Sequence, residues 1–352
     1  MRKFFIAAAL AALAGGAQAP AQAQGLPSTK ITVVGSIGNL SMYTQKELPF
    51  WTDHIKKVSG GAIEAQSKPF TEMGLKGPEV FRLVSQGTLQ IATSVLNYSS
   101  GEVPINEATD LAGLVGTVEE LQKLVDLFRP ILAENFEKKY GIKLLGHGTY
   151  QAQVIYCRDK IGGLADLKGR KVRASGAAQQ AFVSYLGASP LNIAFAEVQP
   201  ALEKGVVDCA ITGSLSGYRA KWHEASKFLL PLPVNFGLAA TVANLKWWNA
   251  LDPRIQQLLQ TELLKLEKDI FEQAKTETAI GVACNTGSAP CPEGQPAKMT
   301  LVPVTPADET LRKEAFVKAV LPSFAKRCGA ECVEAWNRTV GTALGVKAEA
   351  GS

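Results

Sequence analysis

The chain has 352 residues, of which 37 are Lys or Arg, 32 are Asp or Glu and 3 are His, with 46% hydrophobic and 20% charged. That balance supplies ample apolar material for a core, excludes a disordered, collagen-like or disulfide-only chain, and suggests about two domains. A net charge of +5 is far below the basic excess of a nucleic-acid binder.

Arg2 and Lys3 precede an uncharged run from Phe4 to Ala14, then small residues with A-x-A sites at 17–19 and 21–23. A run of 11 residues is too short to span a bilayer, so residues 1–23 read as a secretory signal peptide cut after Ala23, because Pro20 disfavours the earlier site. Cleavage removes two of the 37 basic residues and leaves a net +3. No second apolar run of about 18 residues follows, so the mature chain is expected in the periplasm and not as a membrane-spanning protein.

The first mature elements are a strand at 31–36 and a helix at 43–59 with Leu48, Trp51, Ile55 and Val58 on one face, stopped by Gly60-Gly61. A strand at 62–66, a loop at 69–74, a helix at 78–86 and a strand at 89–96 follow. Thr117-Val118-Glu119-Glu120 is a capping box opening a helix that Pro130 is expected to break; a further helix runs to Tyr140, ahead of a strand at 142–145. The second half alternates similarly: strands at 153–157, 170–174, 191–195 and 206–211, with helices at 177–186 and 197–204. Asp252-Pro253 opens a long helix whose apolar positions, Ile255, Leu259, Leu263, Leu266, Ile270 and Ala274, hold one face and could brace two domains. A strand at 299–304 and helices at 308–326 and from Glu331 complete an α/β chain.

Six cysteines in an exported chain favour disulfides. Cys284 and Cys291 bracket a turn, Cys328 and Cys332 stand one helical turn apart, and Cys157 and Cys209 pair if their strands are neighbours. The alternative is a catalytic thiol or metal site, against which stand the lack of C-x-x-C and the isolation of His54, His147 and His223.

One block is far more specific than composition: Asp166-Leu167-Lys168-Gly169-Arg170-Lys171-Val172-Arg173, then Leu186-Gly187-Ala188-Ser189-Pro190, then the run from Phe195-Ala196-Glu197-Val198-Gln199-Pro200 to Asp208. It resembles solute-binding proteins of tripartite ATP-independent periplasmic (TRAP) transporters, the DctP-like family. The resemblance continues through Val58-Ser59-Gly60-Gly61, Glu72-Met73-Gly74 and Val84-Ser85-Gln86-Gly87, and along the long helix. It implies a two-domain periplasmic-binding-protein fold, type II-like, with crossing strands, a long bracing helix and a cleft between the domains. Domain I would hold 30–150 and about 239–278, and domain II 151–238 and about 279–348. The chain would be a monomer that captures an organic acid and passes it to the small and large membrane subunits of an ion-coupled permease, without a cofactor or metal.

Carried over by residue, Arg173 matches the arginine that pairs with the ligand carboxylate. Strand alternation agrees, sending Val172 to the core and Arg173 to the cleft, where a guanidinium fork fits a carboxylate bidentately. The plain alternative is a basic surface strand, since Lys168, Arg170 and Lys171 surround it. As a pure ligand group, Arg173 is expected to be removable with little change in melting temperature. Phe195 matches a ligand-packing aromatic, or else a core residue; Trp222 is either pocket wall or core. Glu72, Asn39 and Tyr98 fall in loops at the expected mouth of domain I. Gln153 stands where several members carry a second arginine, Thr212 where many carry asparagine, and Cys209 where glycine is usual. Without that second cation a second carboxylate would lack its charge partner, so a monocarboxylate fits better, its body facing Tyr98, Tyr156, Phe195, Tyr218 or Trp222.

Rival functions carry less. Ser323 and Lys326 form an S-x-x-K, but S-D-N and K-T-G are missing, and G-x-S-x-G, H-E-x-x-H and the phosphate-binding G-x-x-x-x-G-K-[ST] do not occur. An enzyme is therefore not expected. A bilobed binding protein serving an ATP-driven importer or a membrane sensor is the nearer alternative.

Overall fold

The structure is a computed structural model that describes residues 25–349, so the signal peptide expected at 1–23 lies outside the described residues. Four strands come first: β1 (Thr29–Gly35), β2 (Ile63–Pro69), β3 (Ile91–Val95) and β4 (Ile142–Gly148). Then come β5 (Gln153–Cys157), β6 (Lys171–Ala174), β7 (Ser189–Asn192), β8 (Cys209–Gly213), β9 (Phe228–Leu230), β10 (Ala239–Asn244) and β11 (Thr300–Leu301). They form two sheets, one in the order β2-β1-β3-β10-β4 and the other β11-β9-β5-β8-β6-β7. Within the first, β1 runs parallel to β2 and β3, and β10 antiparallel to β3 and β4. The chain passes from one sheet to the other at 149–152, between β4 and β5, and returns at 231–238, between β9 and β10. Two short crossings lie side by side between the halves, and the cavity described below opens beside them.

Burial explains the sequence patterns. Strands β3 (IATSV) and β5 (QVIYC) are covered throughout, as expected of strands with helices on both faces. The capping box forms, with the Thr117 side chain accepting from the Glu120 amide and Glu120 reaching back to the Thr117 amide. Strand β6 buries Val172, Arg173 and Ala174 alike, with Val172 in the core. All three cysteine pairs are disulfides, and Cys157 and Cys209 lie directly opposite each other on β5 and β8.

Four expectations fail locally. The helix entered at Thr117 runs unbroken as Val118–Asn135 through Pro130. Pro130 and Asp126 are both exposed, so the carbonyl freed four residues upstream can be hydrated and the break is avoided. Val58 is 39% exposed and Leu48 half-buried, because the 42–58 helix has wide π turns that shift its buried face to Tyr43, Glu47, Trp51 and Ile55. Phe195 sits on a helical turn, Phe195–Glu197, after β7 instead of on a strand. The strand expected at 299–304 contracts to β11.

Pro253–Thr286 is one continuous helix capped by Asp252 and ended at Gly287 in the left-handed conformation. Its first half packs on the first sheet: Gln260 donates to the Leu145 carbonyl at 2.8 Å, and Glu267 accepts from the His147 amide at 2.9 Å and pairs with Arg129. Its second half reaches the other sheet, where Gln151 donates to Glu277 at 2.6 Å and Ser214 to the Thr278 carbonyl at 2.9 Å. At Gly281 the backbones meet so closely that a Cβ would collide with Ser214 and Leu215. Helix propensity alone makes Gly→Ala stabilising by about 1 kcal/mol. Gly281→Ala is instead expected to lower the melting temperature, read by differential scanning calorimetry; a higher value would show that the close approach is dispensable.

His147 is buried beneath this helix, and burial, reinforced by the nearby Arg129 cation, pushes its pKa down to about 3. The fold thus holds a neutral imidazole, and stability from this group is full above about pH 6.5 and lost as pH falls toward 3. Two carboxyls act oppositely. Burial raises Glu47 to about 7 and Asp110 to about 6, so their contribution is lost as pH rises through those values. The difference in unfolding free energy between wild type and His147→Gln isolates the histidine. That difference should shrink by up to about 1.4 kcal/mol per pH unit below 6.5. A difference independent of pH would mean that His147 titrates normally.

Candidate functional site

Between the two sheets lies a narrow cavity of about 20 Å³, room for about one water molecule, so a larger ligand enters only when the two halves part. The second sheet supplies Gln153 from β5, Arg173 from β6 and Thr212 from β8; the first half supplies Tyr98, from the turn after β3, and the crossing segments supply Tyr150 and Gly237. Arg173 is the one charged residue in the lining.

Arg173 is 1% exposed. Its Nε donates to the Ile193 carbonyl at 3.0 Å and its Nη1 to the Ile211 carbonyl at 2.8 Å, while its guanidinium lies 5.8 Å from the centre of the Trp222 ring. Among the described residues no carboxylate comes within ion-pair distance of it. Burial pulls its pKa below the ordinary value, opposed by the Tyr98 hydroxyl, and burial likewise raises Tyr98, opposed by Arg173. A buried ion costs several kcal/mol even after relaxation, and neutral carbonyls, a phenol and a ring face offset only part of that. The cavity is therefore built to receive an anion.

Five residues expected from the sequence line this space: Arg173, Phe195, Gln153, Thr212 and Tyr98. Gln153 is anchored weakly, its Nε2 lying 3.5 Å from the Phe236 carbonyl. Trp222 stands behind the wall. It is fully buried, tilted against Phe195 at 5.6 Å and edge-on to Tyr156 at 5.5 Å, so it supports Arg173 and Phe195 from the core. Asn39 and Glu72 are exposed and lie outside the lining, since their loops turn their side chains to solvent. Tyr156 and Tyr218 also lie outside it. Tyr156 donates to the Ser214 carbonyl inside the core, and Tyr218 stacks on His223 and donates to the Gln295 carbonyl. The Ser323 and Lys326 pair sits on the helix Leu321–Trp336, again outside the lining, and Lys326 is exposed.

Sequence reasoning passed over four polar lining residues: Asn97, Tyr150, Ser175 and Ser216. Ser175 had a signal, because it lies two positions beyond Arg173 and strand alternation carries both to one face. The Ser36 hydroxyl and the Tyr150 hydroxyl are both buried without a hydrogen bond of ordinary geometry. Lys76 pairs with Glu197 across the halves at 2.6 Å, both side chains largely exposed. Gly77, in the left-handed conformation, lets the Tyr98 ring approach where a Cβ would collide. A wider depression beside Arg338 and Lys347 is open to solvent, and all its charged residues are exposed. Among the described residues no cluster could hold a metal ion, and no helix is long and apolar enough to cross a membrane.

Comparison with known proteins agrees with this architecture. A solute-binding protein of Albidiferax ferrireducens is 26% identical over 176 residues, half of this chain and 52% of that one. The C4-dicarboxylate-binding periplasmic protein DctP of Rhodobacter capsulatus is 25% identical over 283 residues, 80% of this chain and 82% of that one. Among solved structures, DctP7 of Bordetella pertussis, an extracytoplasmic solute receptor binding pyroglutamic acid, superposes with a TM-score of 0.78 at 24% identity over 88% of this chain and 99% of that one. The DctP family model, described as bacterial extracellular solute-binding protein, family 7, matches residues 36–283, and this chain, with a lone buried guanidinium lining a narrow cavity between two sheets, belongs to that family.

Proposed function

We propose that the protein is the periplasmic carrier of a TRAP transporter and that it captures a small organic acid anion with a single carboxylate. Arg173 carries this reading: a buried cation with no acidic partner, alone among lining residues that are otherwise neutral. The ligand carboxylate supplies the missing charge, and its bond to the free edge of the guanidinium is of the stronger, charge-assisted kind. A second carboxylate would enter a closed space where Gln153 offers only an amide dipole. The pyroglutamic acid bound by DctP7 has one carboxylate and fits the same logic, whereas the name of the Rhodobacter relative points to two. The anion enters while the halves are apart, pairs with Arg173 and is enclosed as they close, which shifts the population toward the shape presented to the small and large permease subunits. The protein acts as a monomeric carrier and leaves its cargo chemically unchanged.

The test is a thermal-shift series with short hydroxy and keto acids, aromatic acids, sugar acids and dicarboxylates. A ligand at a hundredfold excess over Kd adds about 2.7 kcal/mol to the stability of the folded form. Stabilisation by monocarboxylates is the expected result, and a response confined to dicarboxylates would overturn the single-charge reading. For the best acid, Arg173→Ala should raise Kd by about 10- to 150-fold, the equivalent of one hydrogen bond to a charged group, by isothermal titration calorimetry. Its effect on the melting temperature corrects the expectation from sequence. The bonds to Ile193 and Ile211 give Arg173 a structural share, so the variant should also melt lower.

Gln153→Arg tests the other half of the reading. Placing a second cation in the cavity should shift preference toward dicarboxylates by about tenfold or more relative to monocarboxylates, measured as a ratio of Kd values. An unchanged ratio would mean that Gln153 does not face the cargo.

A further inference from the structure

The polar residues beneath the cavity form one directed chain. It starts at Asp110, whose carboxylate oxygens accept from the backbone amides of Phe236, Gly237 and Leu238 at 2.8, 2.8 and 2.9 Å. Asp110 therefore also accepts from Asn235 Nδ2 at 3.0 Å, which turns Asn235 Oδ1 outward. That oxygen accepts from Gln179 Nε2 at 2.8 Å, so Gln179 presents its Oε1 to Ser175, whose amide and hydroxyl donate to it at 2.8 and 3.1 Å. Having given its only proton away, Ser175 Oγ can only accept, and it does so from Asn97 Nδ2 at 3.3 Å. The chain ends at Asn97 Oδ1.

At ordinary resolution the two ends of an amide are assigned from such networks. Here the assignment has an origin, because three backbone donors at Asp110 fix the sense of the links as far as Gln179, whose Oε1 the Ser175 amide holds. Reversing Asn97 would turn its amine into the cavity and require the Ser175 hydroxyl to give up its bond to Gln179 Oε1, at the cost of one hydrogen bond in a buried network. Asn97 Oδ1 is buried without a hydrogen-bond partner among the described residues, on a side chain 5% exposed that lines the cavity with Arg173. Buried acceptors are nearly always satisfied.

Resting on the reading that Arg173 receives a carboxylate, we infer that the cargo is a carboxylate bearing an N–H or O–H donor, and that Asn97 Oδ1 is the acceptor that selects it. The relay from Asp110 through Asn235, Gln179 and Ser175 positions that acceptor without touching the cargo at its far end. The Tyr150 hydroxyl, 3% exposed and without a hydrogen bond of ordinary geometry on the same cavity wall, can give or take a proton and so adds contact without setting the polarity.

Matched pairs of acids test this by calorimetry on the mature protein: a 2-hydroxy acid against its 2-fluoro counterpart, and a five-membered lactam carboxylate against its lactone. Each pair keeps size and carboxylate while removing the donor. The donor-bearing member should bind about tenfold tighter or more, because its partner leaves a buried acceptor unsatisfied. In Asn97→Leu the ratio within each pair should fall toward one. Ser175→Ala is the second variant; it removes the acceptor that holds the Asn97 amide together with one of the two bonds to Gln179 Oε1, and the ratio should again fall, whatever happens to absolute affinity. Equal binding within the pairs by the wild type would overturn the donor requirement while the carboxylate reading stands. A ratio that survives both variants would overturn the assignment to Asn97 and its relay. Failure of every carboxylate to bind would overturn the inference together with the reading beneath it.

Discussion

A guanidinium held out of water without a counter-ion is the constraint around which this molecule is arranged. Arg173 is tolerated because the end of β7 and strand β8 place carbonyls on two of its donors and Trp222 lays a ring face beside it. Each arrangement calls for another behind it. Trp222 is fixed by Tyr156 and Phe195, Tyr156 by Ser214 and Asn285, and Asn285 stands near the end of the long helix. The charge is thereby supported through one continuous set of contacts by the element that also braces the first sheet. Such a site gains most when an anion arrives, because the cost of burying the cation has already been met by the fold.

The same logic accounts for the distribution of charge elsewhere. Other buried charged groups have a partner of opposite sign, a neutral form or several N–H donors: Glu267 with Arg129, Glu107 with Arg327, His147 as a neutral ring, Asp110 with three backbone amides. Arg173 departs from that rule within the lining. A departure of this kind at a concave, enclosed position marks a binding site on physical grounds, apart from any likeness to other proteins.

Much of this was readable in the chain. Strand-like runs at 89–96 and 153–157 marked β3 and β5, glycine stops and capping residues marked helix ends, and the sequence along Lys171–Ala174 offered Arg173 to the cleft. These features were legible because they are local. Pro130 misled because its consequence depends on which side of the helix faces water, a tertiary fact. Asn39 and Glu72 misled because a loop's place in the chain does not say where its side chains point. Trp222, left open between pocket wall and core, stands one layer behind the lining. Asn97 and Tyr150 were passed over because nothing in their local sequence distinguishes a satisfied polar group from an orphaned one; that depends on partners up to 78 residues away.

The directed chain from Asp110 to Asn97 has an evolutionary corollary. Cargo choice in such a protein is written partly in residues no cargo touches, since an exchange at Asn235 or Gln179 could invert every link downstream and turn an acceptor into a donor at the cavity wall. Two relatives with the same residues around the ligand could then favour different compounds, and two with different buried amides could converge on one. Transport specificity would drift through the interior of the second lobe while the visible pocket stayed constant.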